Sequence, residues 1–140
     1  MPLAPEYVVM FEQLAEAPPA PSISEMTPAQ VREMYRSMRP VNPELPIHSV
    51  RDQTIAGPLG DIPLRIYTPE GDGPFGVLVY FHGGGWVIGD LDTCDSACRE
   101  IATVGNLVVV SVNYRLAPKH VYPAAGTDCY AAVEWATANG

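Results

Sequence analysis

The sequence predicts an α/β protein with a mostly parallel sheet that opens on an antiparallel hairpin. Three observations carry this. The apolar runs Gly76–Phe81 and Leu107–Val112 are unbroken, the pattern of strands buried on both faces. Each is followed by helical periodicity, at residues 92–104 and 123–138. Upstream, Ile62, Leu64 and Ile66 alternate with polar positions, the mark of a strand with one buried face. Strands alternating with helices imply right-handed crossovers and a sheet covered on both sides.

The elements follow in order. Residues 5–17 form an amphipathic helix, with Tyr7, Val8, Phe11, Leu14 and Ala15 at helical spacing. Pro18, Pro19 and Pro21 break it. A second helix starts with Thr27 as N-cap, Pro28 in the first helical position and Gln30 completing a capping box. It runs to about Met38 with Val31, Met34, Tyr35 and Met38 on one face, and Pro40, Pro43 and Pro46 end it. Residues 1–45 are thus set apart as helices, and residues 46–140 as an α/β core. Periodicity alone leaves two readings of the helices open, ordinary packing elements or a cap over a pocket. Residues 47–56 are a strand, Gly57-Pro58-Leu59-Gly60-Asp61 a turn, and residues 62–67 the returning strand of a hairpin. Gly71-Asp72-Gly73-Pro74-Phe75-Gly76 has the spacing of a dinucleotide loop, but it precedes a strand and contains proline, so it reads as a turn. The last helix is ended by Asn139-Gly140.

Composition narrows the function. Hydrophobic residues make up 47% of the 140 positions and charged residues 17%, enough for a core in one domain and unlike a disordered chain. A net charge of −8 argues against nucleic acid, whose phosphates need clustered Lys and Arg. No apolar stretch approaches the roughly 18 residues that span a bilayer. The N-terminal residues carry neither a basic stretch nor a long apolar one of the kind that directs export. With three cysteines, Cys94, Cys98 and Cys129, this predicts reduced thiols in a cytoplasmic protein. Cys94 and Cys98 can share a helix face, but nothing at ligand spacing completes a zinc site, so neither metal nor other cofactor is expected.

The chemistry lies in His82-Gly83-Gly84-Gly85-Trp86, directly after the first buried run. Without Cβ atoms, three successive glycines let the backbone take unusual dihedrals and approach a ligand. Their N–H groups can then converge beyond the carboxyl end of a strand, where α/β sheets bind ligands. Donors in that place can hold the negative oxygen that forms when an ester carbonyl is attacked.

Phe81 to Trp86 resembles the HGGGW box of the hormone-sensitive-lipase family of α/β-hydrolase carboxylesterases. Asn113-Tyr114-Arg115-Leu116-Ala117-Pro118-Lys119-His120-Val121-Tyr122-Pro123-Ala124-Ala125 is similar to that family's second block, and Gly89-Asp90-Leu91-Asp92-Thr93 and Asp128-Cys129-Tyr130-Ala131-Ala132 extend the match. The resemblance covers roughly residues 50 to 138. Asn113 stands where the family usually has Asp, and Lys119 where it has Glu; neither is a catalytic position. The resemblance implies the N-terminal portion of an α/β-hydrolase fold, with an oxyanion hole at Gly83, Gly84 and Gly85 whose usual donors map to Gly84 and Gly85. It gives His82 and Trp86 the role of shaping the loop, and the N-terminal helices that of capping the pocket. His82 is not the catalytic base, because the triad order in this fold is Ser, then Asp or Glu, then His.

No Gly-x-Ser-x-Gly elbow occurs in the sequence. Asp95-Ser96-Ala97 lacks the glycines and falls in a helix; His48, His120 and Asp128 match no triad position. None of the Ser/Asp/His triad is therefore expected in this chain. The expectation is the oxyanion-hole-bearing part of a serine carboxylesterase for small apolar esters. The nucleophile would come from a missing C-terminal half, in the same polypeptide or a second chain. The alternative is a non-catalytic binding or interaction module built on half of a hydrolase fold. Either way the strand 76–81 lacks its usual further neighbour, which predicts an apolar edge and a tendency to self-associate. Homo-oligomerisation is left open.

Overall fold

The computed structural model describes residues 3–16 and 22–140. Its helices are α1 (Pro5–Glu16), α2 (Pro28–Ser37), α3 (Asp95–Gly105) and α4 (Ala124–Asn139), and its strands β1 (Ser49–Gly57), β2 (Gly60–Thr68), β3 (Gly76–Phe81) and β4 (Leu107–Val112). The proline break predicted at Pro18, Pro19 and Pro21 lies outside the described residues, as does Ala17, the predicted end of the first helix.

The strands form one sheet in the order β1-β2-β4-β3. β1 and β2 are an antiparallel hairpin with Ile55 opposite Ile62. β2 also pairs antiparallel with β4, Leu64 facing Val112, and β4 pairs parallel with β3, Leu78 facing Val109. Among the described strands the sheet is therefore mixed, and its parallel character is confined to the β3–β4 pair.

Side-chain alternation along β2 and β4 divides the core into two layers. On one face Ile62, Leu64, Ile66, Val110 and Val112 pack with Tyr114 and with Ala132 of α4. On the other, Tyr67 and Val109 pack with Cys94, Cys98 and Ala102 on α3. Ser111 points to the α3 side and is satisfied there by the Cys94 thiol at 3.3 Å. α4 is further anchored through Asp128, whose carboxylate accepts from the Arg115 amide at 3.0 Å and its Nε at 2.8 Å.

Two elements depart from the sequence reading. The run in β3 is not buried on both faces: Val77 is 42% and Phe81 40% exposed, while the last four residues of β4 are all buried. The cause is position, since β4 has a neighbour on each side and β3 only one among the described strands. α3 begins at Asp95 rather than at residue 92. Asp90 and Thr93 exchange hydrogen bonds, the Asp90 amide to Thr93 Oγ1 and the Thr93 amide to Asp90 Oδ1, both 2.9 Å. That pairing holds residues 91–94 in a turn ahead of the helix.

α2 starts as predicted: the Thr27 amide donates to Gln30 Oε1 at 2.8 Å and the Gln30 amide to Thr27 Oγ1 at 3.3 Å. It buries Val31. α1 is different, since its apolar residues Tyr7, Phe11 and Leu14 all remain exposed.

Candidate active site

β3 delivers the chain to the carboxyl end of the sheet, and the glycine loop begins one residue later at His82. Gly84 has φ +130° and Gly85 +59°, followed by Trp86 at +60°. At Gly84 glycine is required twice over, because a Cβ there would also lie 2.1 Å from the Ile88 carbonyl oxygen. That contact comes from a tight turn in which the Val87 and Ile88 amides both donate to the Gly84 carbonyl at 3.1 Å.

The amides of Gly83, Gly84 and Gly85 donate to no acceptor among the described residues. Gly83 and Gly85 are exposed and Gly84 is half-buried. All three border a cleft of about 350 Å³ that is also walled by Phe81, Tyr114 and Cys129. Burial pushes the Cys129 thiol up to about 11, so it faces the cleft as a neutral thiol. A second, larger cleft of about 570 Å³ adjoins the first at Gly85 and Trp86 and is lined by Ala117, His120 and Tyr122. Its walls are apolar, and Trp86 and Tyr122 are 67% and 95% exposed.

His82 lies beneath the loop, 5% exposed. Its ring stacks on Tyr114 with centroids 4.3 Å apart and planes 13° from parallel. Nδ1 is 2.9 Å from the Gly83 carbonyl, which makes Nδ1 the protonated nitrogen of a neutral ring. Nε2 is buried and has no partner among the described residues. Burial lowers the pKa of His82, and the contact with the Gly83 carbonyl offsets this only in part. The imidazole is thus held neutral. Gly89 closes the pocket from the far side, where a Cβ would stand 2.2 Å from His82 Nδ1. Tyr114 Oη donates to the His82 carbonyl, so ring and hydroxyl hold both ends of the same residue.

Trp86 is tied through its main chain, its carbonyl accepting from the Ala117 amide at 2.9 Å. Arg32 of α2 adds a contact that no local pattern in the sequence signals. Its Nε donates to the Val87 carbonyl at 2.8 Å and its Nη2 to the Ala117 carbonyl at 2.7 Å. Next to it Arg36 pairs with Asp90, where burial pushes the carboxyl up but Thr93 and the guanidinium together bring it below its usual range.

Apart from His120, the other titratable candidates stand away from the loop or serve the fold. His48 faces Glu70 at 3.4 Å on the surface. Asp128 is occupied by Arg115. Ser96 lies on α3, and His120 lines the apolar cleft. No group of three or more His, Cys, Asp or Glu able to hold a metal occurs among the described residues. Three main-chain N–H groups are thus left free beside one cleft, and no nucleophile–base pair stands next to them among the described residues.

Residues 78–140 match the family described as the α/β hydrolase fold. Over 117 residues the chain is 48% identical to esterase LipI of Mycobacterium tuberculosis (strain ATCC 25618 / H37Rv), an alignment covering 79% of this chain and 35% of that protein. It is 32% identical over 143 residues to an arylesterase of Saccharolobus solfataricus, covering 99% of this chain and 45% of the relative. Among solved structures, a hyperthermophilic esterase from the archaeon Pyrobaculum calidifontis superposes with a TM-score of 0.84 at 39% identity, over 99% of this chain and 45% of that one. The chain spans less than half the length of each of these proteins.

Proposed function

The chain belongs to the hormone-sensitive-lipase family of α/β-hydrolases, and on that premise we propose that it is the oxyanion-hole part of a serine carboxylesterase acting on small apolar esters. The observation that carries the proposal is the set of amides at Gly83, Gly84 and Gly85, unpaired among the described residues and bordering one cleft at the end of β3. In this reading the seryl oxygen comes from a nucleophile-bearing half, in the same polypeptide or a second chain. It attacks the ester carbonyl, and the Gly84 and Gly85 amides take the resulting oxyanion. A preorganised donor of this kind contributes about 3–4 kcal/mol of transition-state stabilisation. A His–acid pair from the same half takes the seryl proton, passes it to the leaving alcohol, and then activates the water that frees the acyl group. His82 keeps a structural place beneath the loop.

The apolar cleft next to Trp86 and Tyr122 suits a small uncharged acyl or alcohol group better than a charged one. The helices of residues 1–45 act as the cap of the pocket. Three unpaired cysteines agree with a reducing, cytoplasmic setting.

Fluorophosphonate labelling tests the reading. The 140-residue chain by itself is expected to stay unlabelled, and the chain joined to its nucleophile-bearing half to label at a serine of that half and to hydrolyse short p-nitrophenyl esters. Labelling of the isolated chain would contradict the assignment of the nucleophile. An assembled protein that neither labels nor hydrolyses would remove the esterase reading.

A further inference from the structure

We propose that Arg32 is a positioning residue of the oxyanion loop, acting through the carbonyls of Val87 and Ala117. The catalytic consequence rests on the esterase reading above; the bridging role rests on geometry alone.

The loop has a weakness that Arg32 addresses. Trp86 sits at φ +60°, which a residue other than glycine holds only when its surroundings impose it, and Gly84 and Gly85 before it leave the backbone free rather than stiff. The turn is closed on one side by the Val87 and Ile88 amides on the Gly84 carbonyl, and the Trp86 carbonyl is fixed by the Ala117 amide. What remains is to hold Val87 and Ala117 to one another. The Arg32 guanidinium does this by donating Nε to one carbonyl and Nη2 to the other. The three contacts make a closed circuit: Trp86 to Ala117 through the main chain, Ala117 to Arg32, Arg32 to Val87, and Val87 back to Trp86 along the chain.

A planar guanidinium suits this task because two of its nitrogens point at fixed positions on one side. A lysine has one nitrogen and spans two carbonyls poorly. Arg32 is half-buried on the first turns of α2, a helix set by the Thr27–Gln30 capping box and by the burial of Val31. The helical segment therefore reaches the oxyanion loop directly. It carries a strut for the oxyanion loop, from a residue 55 positions before Val87 and 85 before Ala117.

The test compares Arg32→Met, Arg32→Lys and Arg39→Met in the assembled enzyme. Arg39 lies just past the C-terminal end of α2 and stacks its guanidinium over Tyr35, so its loss controls for removal of a surface charge. Hydrogen exchange is expected to speed at least about tenfold at the Val87, Ile88 and Ala117 amides in both Arg32 variants, with the β4 amides unchanged. Per fluorophosphonate-titrated site, kcat is expected to fall about 10- to 100-fold with KM within about twofold. Arg39→Met is expected to behave as wild type in both respects. Unchanged exchange at the loop in Arg32→Met overturns the proposal. So does rescue by Arg32→Lys, which would mean that charge and not the two-carbonyl bridge matters. Faster exchange with undiminished kcat overturns the catalytic part. A wild-type enzyme inactive on esters would sink the esterase reading instead, and the exchange measurement would still decide the bridge.

Discussion

At the scale of single residues, the glycine loop separates positions that look equivalent in the sequence. A methyl group at Gly84 would meet the Ile88 carbonyl oxygen at 2.1 Å and force φ +130° on an alanine, whereas at Gly83 it meets nothing within 4 Å. Gly84→Ala is accordingly expected to reduce kcat of the assembled esterase by about 10²–10³, the loss seen when one oxyanion donor is removed. Gly83→Ala is expected to be at least about tenfold less damaging. Steady-state kinetics on a p-nitrophenyl ester distinguishes them, and equal losses would show that the strained turn is not what places the donors. His82 yields a pH prediction. Its folded pKa is depressed by burial, so the unfolded chain takes up a proton that the folded chain refuses. The stability His82 contributes is then complete above the ordinary histidine value of about 6.5 and is lost as pH falls below it. Melting temperature measured from pH 8 to 5 should drop below about 6.5, and the drop should shrink in His82→Gln. The box itself was legible because its residues are contiguous. Tyr114 under His82, Gly89 against its ring and Arg32 behind the loop were not, because those contacts join residues far apart in the chain and a linear pattern does not record them.

At the scale of elements, what the sequence conveyed depends on how local the cause is. The α2 start was readable to the residue because Thr27, Pro28 and Gln30 act within one turn. Periodicity puts the beginning of α3 three residues early, because it cannot see that Asp90 and Thr93 bind one another and keep the intervening residues in a turn. The unbroken apolar runs of β3 and β4 look alike, yet only β4 is central, since burial depends on strand order and no local signal fixes it. The anchoring of α4 shows the same limit. Asp128 and Arg115 both stand in the motif blocks, but their pairing emerges only in the fold, where Arg115 also reaches the Leu59 carbonyl at 2.9 Å. One guanidinium thus ties α4, the segment after β4 and the β1–β2 turn together. Asp128→Ala leaves that group without its buried acceptor and is expected to cost about 2–3 kcal/mol, read from urea unfolding of the wild type and the variant.

At the scale of the whole molecule, the outer edge of β3 governs how the chain behaves by itself. β3 hydrogen-bonds to β4 on one side and has no partner on the other among the described strands. Val77 and Phe81 are 42% and 40% exposed on it, without a charged residue in the strand to discourage pairing. An unprotected apolar edge is a template for another strand. In the assembled enzyme the nucleophile-bearing half would occupy it; alone, a second copy is the nearest substitute. The 140-residue chain is therefore expected to sediment as dimers or larger species at micromolar concentration. Val77→Lys should weaken that association at least about tenfold, equivalent to about 1.4 kcal/mol, because the ammonium loses hydration when a second strand docks. The same substitution should also impair union with the nucleophile-bearing half, since both partners use one edge. A wild-type chain that sediments as a single monomeric species and melts cooperatively would show that the edge is protected in solution, and Val77→Lys would then change neither association.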